Sequence, residues 1–175
     1  MRTLKLHTFC YILKINEHEE FKQYMLSYIS KQPNNSLIEL EDNITNTDWK
    51  NSHDRNREYV QKFYEVLRPY LSKLTTEIPA KKYQINNMWY QQYAKNSKHQ
   101  WHRHIECNWS AVYFLELPDS SVATQFYETE NNKTLHKKNI EEGDLFIFPA
   151  NMLHRSPENL TNQVKSIISF NVDFE

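Results

Sequence analysis

The stretch Lys98-His99-Gln100-Trp101-His102-Arg103-His104-Ile105-Glu106 sets four possible metal ligands within eight positions. Side chains two residues apart on a strand share a face, so an extended backbone lets His102 and His104 chelate one cation without strain. Glu106 falls on that same face, while Trp101, Arg103 and Ile105 fall on the other. Fifty residues beyond His104 comes His154, at the end of Pro149-Ala150-Asn151-Met152-Leu153-His154. Eleven residues further, Lys165 opens the apolar run Lys165-Ser166-Ile167-Ile168-Ser169-Phe170-Asn171. A third imidazole from a distant strand closes a facial triad and leaves the opposite positions free, the arrangement with which iron carries out oxygen chemistry.

Two pairings compete for the first half of that triad. His104 with Glu106 gives two histidines and one carboxylate once His154 is added. His102 with His104 gives three neutral imidazoles and leaves a divalent ion at +2. A patch of histidines on a solvated edge strand is the plain alternative to either. His99 then either supports the ligands or faces solvent, and His7, His18, His53 and His136 lack a partner pattern. Lys165 amid Val164, Ile167, Ile168 and Phe170 is costly to bury unpaired. It must snorkel to water or meet an anion, and its place after His154 favours the anion. Tyr93, Tyr113, Ser169 and Asn171 offer hydroxyl or amide partners to the same anion. Trp89, Trp101 and Trp109 are further candidates for a pocket wall, or core residues.

At 175 residues the chain fits one domain, residues 1–175, able to bury roughly 70% of its unfolded surface. Its 21 basic and 22 acidic residues give a net charge of −1, which shows no nucleic-acid footprint. Two cysteines, Cys10 and Cys107, suit a reducing compartment better than a disulfide scaffold. No apolar stretch reaches the roughly 18 residues of a membrane span, and the N-terminus lacks a signal-peptide core, so a soluble cytoplasmic protein is expected. Gly143 is the single glycine, so turns that need a left-handed residue must use Asn or Asp.

The first half reads helical and the second stranded. A strand over 4–15 precedes a helix opened by Asn16 as N-cap, with Glu19 completing a capping box and Pro33-Asn34-Asn35 ending it. Residues 43–51 read as a polar loop anchored by Trp49. Asp54 opens a second helix with the stripe Tyr59, Phe63, Val66, Leu67, Tyr70, Leu71 and Leu74. Pro69 within it predicts a kink or a break. Strands are expected over 83–93, 100–106, 109–117, 124–128, 145–148 and 165–172. Helical support over about 16–78 and a β-core over about 82–173 make an α+β fold, with the helices bracing one sheet of a distorted barrel or jelly roll.

Two blocks carry a family resemblance. One runs from Tyr93 through His102-Arg103-His104 to Ser110-Ala111-Val112-Tyr113-Phe114-Leu115-Glu116-Leu117-Pro118. The other comprises Gly143-Asp144-Leu145-Phe146-Ile147-Phe148-Pro149, His154-Arg155-Ser156-Pro157 and the run from Lys165 to Asn171. They resemble the 2-oxoglutarate/Fe(II)-dependent dioxygenase superfamily, most of all small oxygenases of tailed phages and marine bacteria. The resemblance implies a cupin-like double-stranded β-helix and Fe(II), 2-oxoglutarate and O2 as cofactors. It implies iron ligands from a His-x-Asp/Glu pair and a distal His, which His154 matches, and a basic anchor for the cosubstrate, which Lys165 matches. The departure is His104, where most members carry a carboxylate. Spacing to the Ser110-Ala111-Val112-Tyr113 strand favours His102 and His104 as the pair, as in related oxygenases with His-x-His.

Hydroxylation of an unidentified substrate follows from this likeness. Protein prolyl residues, free amino acids and nucleobases all remain compatible, with loops 43–51 and 131–139 contributing to substrate choice. Two rivals stand beside it: a three-His cupin-like dioxygenase that needs no 2-oxoglutarate, and a non-catalytic jelly-roll binding module.

Overall fold

Alternation on the strands settles which side chains meet. A computed structural model of the chain describes residues 9–135 and 139–175, so His7, His136 and the start of the predicted 4–15 strand lie outside the described residues. The elements are β1 (Tyr11–Lys14), α1 (His18–Ile29), β2 (Leu37–Glu39), β3 (Asp42–Ile44), β4 (Asn46–Thr47) and α2 (Glu58–Glu77). There follow β5 (Tyr83–Tyr93), β6 (His99–His102), β7 (Trp109–Glu116), β8 (Gln125–Glu128) and β9 (Lys133–Leu135). The chain ends with β10 (Asp144–Pro149), β11 (His154–Ser156) and β12 (Lys165–Phe174). Among the described residues, no helix is long and apolar enough to cross a membrane.

A six-stranded sheet in the order β1-β10-β7-β12-β5-β4 faces a four-stranded sheet in the order β6-β11-β8-β9. Every described pairing is antiparallel. This is the two-sheet, helix-braced arrangement expected of a double-stranded β-helix. The large sheet buries both faces. On one side Tyr113, Leu145, Ile147, Ile168 and Phe170 meet α1 and α2; on the other Val112, Phe114, Phe146, Phe148 and Ile167 face the small sheet. Successive residues of β12 therefore serve two different cores.

The helix side is aromatic. Phe63 of α2 stacks on Phe21 of α1 at 4.5 Å between ring centres and meets Tyr113 at 4.9 Å. The start of α1 differs from its expectation. Its N-cap is Glu17, with no side-chain cap bond. Instead the Tyr70 hydroxyl of α2 accepts the Asn16 N–H at 2.8 Å and donates to Glu17 Oε2 at 2.8 Å. A tertiary contact thus does the work of the capping box, and α1 ends at Ile29, before the Pro-Asn-Asn signal. The second helix begins at Glu58 rather than Asp54, because Asp54 Oδ1 accepts the Asn56 N–H in a local turn. It continues through Pro69 without a break.

Segment 43–51 is not a plain loop. It supplies the end of the β2–β3 hairpin, the edge strand β4 and a short 3-10 turn over Trp49–Asn51. The Trp49 ring meets Trp89 edge-on at 4.4 Å. Left-handed backbone occurs at Asn96, Asn132 and Asn139, in keeping with asparagine replacing glycine, and also at Leu40 in the β2–β3 turn. Gly143 has φ of +82°, and a Cβ there would lie 2.9 Å from the His18 ring. Both the angle and the close approach require glycine.

Phe63→Ala removes the ring that joins α1, α2 and the large sheet. It should lower unfolding free energy by about 3–5 kcal/mol, measured as a fall in the urea midpoint without a change in slope.

Candidate metal and cosubstrate site

Antiparallel pairing of β11 with β6 sets His154 directly opposite His102. β6 ends at His102 instead of running to residue 106, yet the chain stays close to the sheet because the His104 N–H donates to Ala150 O at 2.8 Å. The three rings converge: centroids lie 4.2 Å apart for His102 and His154, and 5.3 Å apart for each pair that includes His104. One ligand nitrogen from each lies within 4.8 Å of the other two.

The tautomers follow from the neighbours. His102 Nδ1 lies 2.7 Å from Gln100 O, and His154 Nδ1 lies 2.8 Å from Met152 O. A carbonyl only accepts, so each Nδ1 carries the hydrogen and each Nε2 keeps its lone pair for a metal. Burial holds all three imidazoles below their usual range, and mutual repulsion adds to this for His104 and His154. His104 falls to about 4, and His154 falls well below 6.5. Three neutral nitrogen donors aimed at one point suit a divalent ion such as Fe(II).

Lys165 is fully buried. Its Nζ donates to Val122 O at 2.6 Å and Ser156 Oγ at 2.7 Å, with the Tyr93 ring 5.0 Å away. Both acceptors are neutral, and desolvation alone pulls the ammonium down to about 7. The Tyr93 hydroxyl is likewise buried, beside Ser156. Tyr93, Ser156 and the three imidazoles line one cavity, together with Ser169 and Asn171. Ser110 Oγ donates to Asn171 Oδ1 at 2.9 Å, so part of this polar wall is already satisfied.

Other expected residues are elsewhere. Tyr113 points to the helix side of β7, where its hydroxyl lies 2.7 Å from His18 Nδ1, so it is not a cosubstrate contact. Strand parity is the reason, since Val112 and Phe114 occupy the cavity face. Glu106 is exposed in a bend and outside the three-histidine group. Trp89 lines the cavity. Trp101 instead packs against Tyr127 at 5.5 Å, and Trp109 against Tyr11 at 5.9 Å. Cys107 keeps a free thiol near Ser110.

Sequence reasoning missed Gln91, Ser156 and Asp42, and left His99 undecided. His99 stacks on His102 at 4.0 Å and lines the cavity. Gln91 was legible by parity, being two residues from Tyr93 on β5, whereas Asp42 had no signal in the sequence.

The buried imidazoles predict acid sensitivity of the metal-free protein. For His104 the unfolded value of about 6.5 exceeds the folded value of about 4, so between them the unfolded chain binds more protons. Stability present above pH 6.5 is therefore lost as pH falls toward 4. His104→Gln should flatten that decline in urea midpoints recorded from pH 7 to 4.

Residues 87–171, from β5 to β12, match the family model described as "Putative 2OG-Fe(II) oxygenase". Three solved structures illustrate the fold. A viral collagen prolyl hydroxylase from Paramecium bursaria Chlorella virus-1, in a 2OG complex, is 11% identical with a TM-score of 0.60, covering 94% of this chain and 95% of its own. A Pseudomonas putida prolyl-4-hydroxylase is 9% identical with a TM-score of 0.66, covering 96% and 94%. A 2OG-Fe(II) oxygenase family oxidoreductase from Burkholderia pseudomallei is 10% identical with a TM-score of 0.72, covering 94% and 85%. No functionally curated protein matches the sequence significantly. At such identities these likenesses speak for the fold, the double-stranded β-helix. The match over residues 87–171 makes this segment, which holds the three histidines and Lys165, similar to the 2OG-Fe(II) oxygenase family.

Proposed function

We propose that this chain is a hydroxylase in which His102, His104 and His154 hold Fe(II), and Lys165 anchors the distal carboxylate of 2-oxoglutarate. The family uses Fe(II), 2-oxoglutarate and O2. The observation that carries the residue assignment is a cavity lined by three converging imidazoles, whose wall residues Tyr93 and Ser156 also contact a fully buried ammonium held only by neutral acceptors. A buried cation without a counter-charge is expensive, and a dicarboxylate offers that charge. Three neutral ligands leave Fe(II) at +2, of which the keto-acid carboxylate of 2-oxoglutarate would offset one charge while the distal carboxylate offsets that of Lys165.

The bound metal and cosubstrate supply the oxidising chemistry, with succinate and CO2 as the expected by-products. The protein supplies placement. Carbonyls of Gln100 and Met152 hold the rings of His102 and His154 in one tautomer and one orientation. Phe148 packs edge-on against His154 at 4.7 Å, and Val112 and Ile167 add apolar surface that keeps the cavity dry. Ser156 holds the Lys165 ammonium. Tyr93, Ser169 and Asn171 offer further polar contacts to the cosubstrate. Amino-acid residues, prolyl residues first, are the substrates to test, because two of the similar structures are prolyl hydroxylases. Segment 43–51 reaches the cavity wall through Trp49 against Trp89, which gives it a part in substrate choice.

Iron-dependent formation of succinate from 2-oxoglutarate, followed with and without proline-containing peptides, tests this reading. Lys165→Met should raise the KM for 2-oxoglutarate roughly 10- to 100-fold, as expected for losing a charged hydrogen bond. His154→Ala should abolish turnover. An unchanged KM would reject the anchor, and iron-dependent oxidation without any keto acid would favour the three-His cupin-like rival.

Two thermodynamic outcomes follow from the burial of Lys165. In ligand-free protein Lys165→Met should raise the melting temperature, since an unpaired charge is replaced by an apolar chain. The same variant should lose the stabilisation that 2-oxoglutarate gives the wild type. Because the free ammonium titrates at about 7 and an anion favours its charged form, 2-oxoglutarate affinity should fall as pH rises through 7. Calorimetry at pH 6.5 and 8.5 measures this, with net proton uptake on binding expected at the higher pH.

A further inference from the structure

Asp42 and His99 lie outside the ligand set but are built against one member of it. Asp42 begins β3, and Asn43 is bridged to Lys98 by two backbone hydrogen bonds of 3.0 Å, which dock the β2–β3 hairpin onto the start of β6. Asp42 Oδ1 accepts the Gln100 N–H at 2.7 Å. The carbonyl of that same Gln100 accepts the His102 Nδ1–H at 2.7 Å. Asp42 Oδ2 lies 3.5 Å from His99 Nε2, and the His99 ring stacks on His102 with centroids 4.0 Å apart and planes inclined by 22°. His102 is thus held twice from one carboxylate, through the backbone of Gln100 and through the ring of His99.

We propose that Asp42 and His99 are a positioning pair for His102, orienting its imidazole and placing behind it the negative charge that a three-histidine ligand set lacks. This rests on the reading of His102 as a metal ligand. The physical case is one of compensation. A carboxylate in the ligand set would lower the charge of the ion and strengthen its binding. Here the carboxylate stands beyond a stacked ring, where it acts on the ligand's basicity and orientation instead. The Asp42 carboxylate, 3.5 Å from a ring that stacks on His102, favours positive charge at that imidazole and so its donation to a cation.

Anaerobic Co(II) titration of the metal-free full chain, followed by its visible ligand-field bands, tests the pair without relying on turnover. Asp42→Asn keeps an acceptor for Gln100 and removes only the charge; His99→Phe keeps a stacked ring and removes the nitrogen facing Asp42. Each should weaken Co(II) binding roughly 10- to 100-fold and shift the bands, while the metal-free urea midpoint stays at the wild-type value. The double variant should lose less than the product of the two effects, because both act through His102. Wild-type affinity and bands in both variants, with binding abolished by His154→Ala, would overturn the pair and leave the triad standing. Wild-type binding by His154→Ala would instead overturn the triad, and the pair with it. Weakened binding together with a lowered metal-free midpoint in both variants would reduce the pair to a fold contact.

Discussion

The antiparallel register between β6 and β11 is the constraint on which the site depends. It sets His154 opposite His102, joining positions far apart in the chain. Side-chain direction alternates along a strand, so a slip of one residue would turn one imidazole out of the cavity and end the convergence. The ladder is irregular between His154 and Ser156, where Ser156 pairs with His99. Ser156, two residues from His154, shares the cavity side, with its hydroxyl on the Lys165 ammonium, and the extra residue on β6 brings His99 to that side as well. One short pairing thus orders both the nitrogen donors and the support of the cation.

Charge divides the cavity into two ends. The imidazoles are held neutral by burial and by one another, so nothing at that end repels a divalent cation. At the other end, behind the wall residues Tyr93 and Ser156, sits a single ammonium with no ion-pair partner among the described residues. Between them the polar wall is partly self-satisfied through Ser110 and Asn171. A preorganised site of this kind is costly when empty and gains most from a ligand that bridges metal and cation. The large sheet can carry that cost because its other face is packed against Phe21, Phe63 and Tyr59 of the helices.

Much of the fold was legible. Strands 83–93, 109–117 and 165–172 lie within two residues of β5, β7 and β12, because their long β-branched and aromatic runs have no competing helical period. Short elements were not. The β2–β3 hairpin turns at Leu40 with positive φ, a residue that signals no turn, and β4 has only two residues. Helix starts failed for a different reason: Asn16 and Asp54 look like caps in isolation, but a Tyr70 bond and a local turn took their places.

By itself the sequence determined the residue types and spacings: three histidines in a pattern suited to a metal, a lysine that follows them, and an alternating run that buries it. Tertiary structure alone decided which face of each strand looks inward. Tyr113 and Tyr93 are equal candidates in sequence, yet parity sends Tyr113 toward His18 and Tyr93 toward Lys165. It also decided that Glu106 stays in solvent and that Asp42, from a hairpin with no signal of its own, stands behind His102 through Gln100. The reason is physical: periodicity fixes which residues share a face, but only packing against a second sheet or a helix says which face is buried and against what.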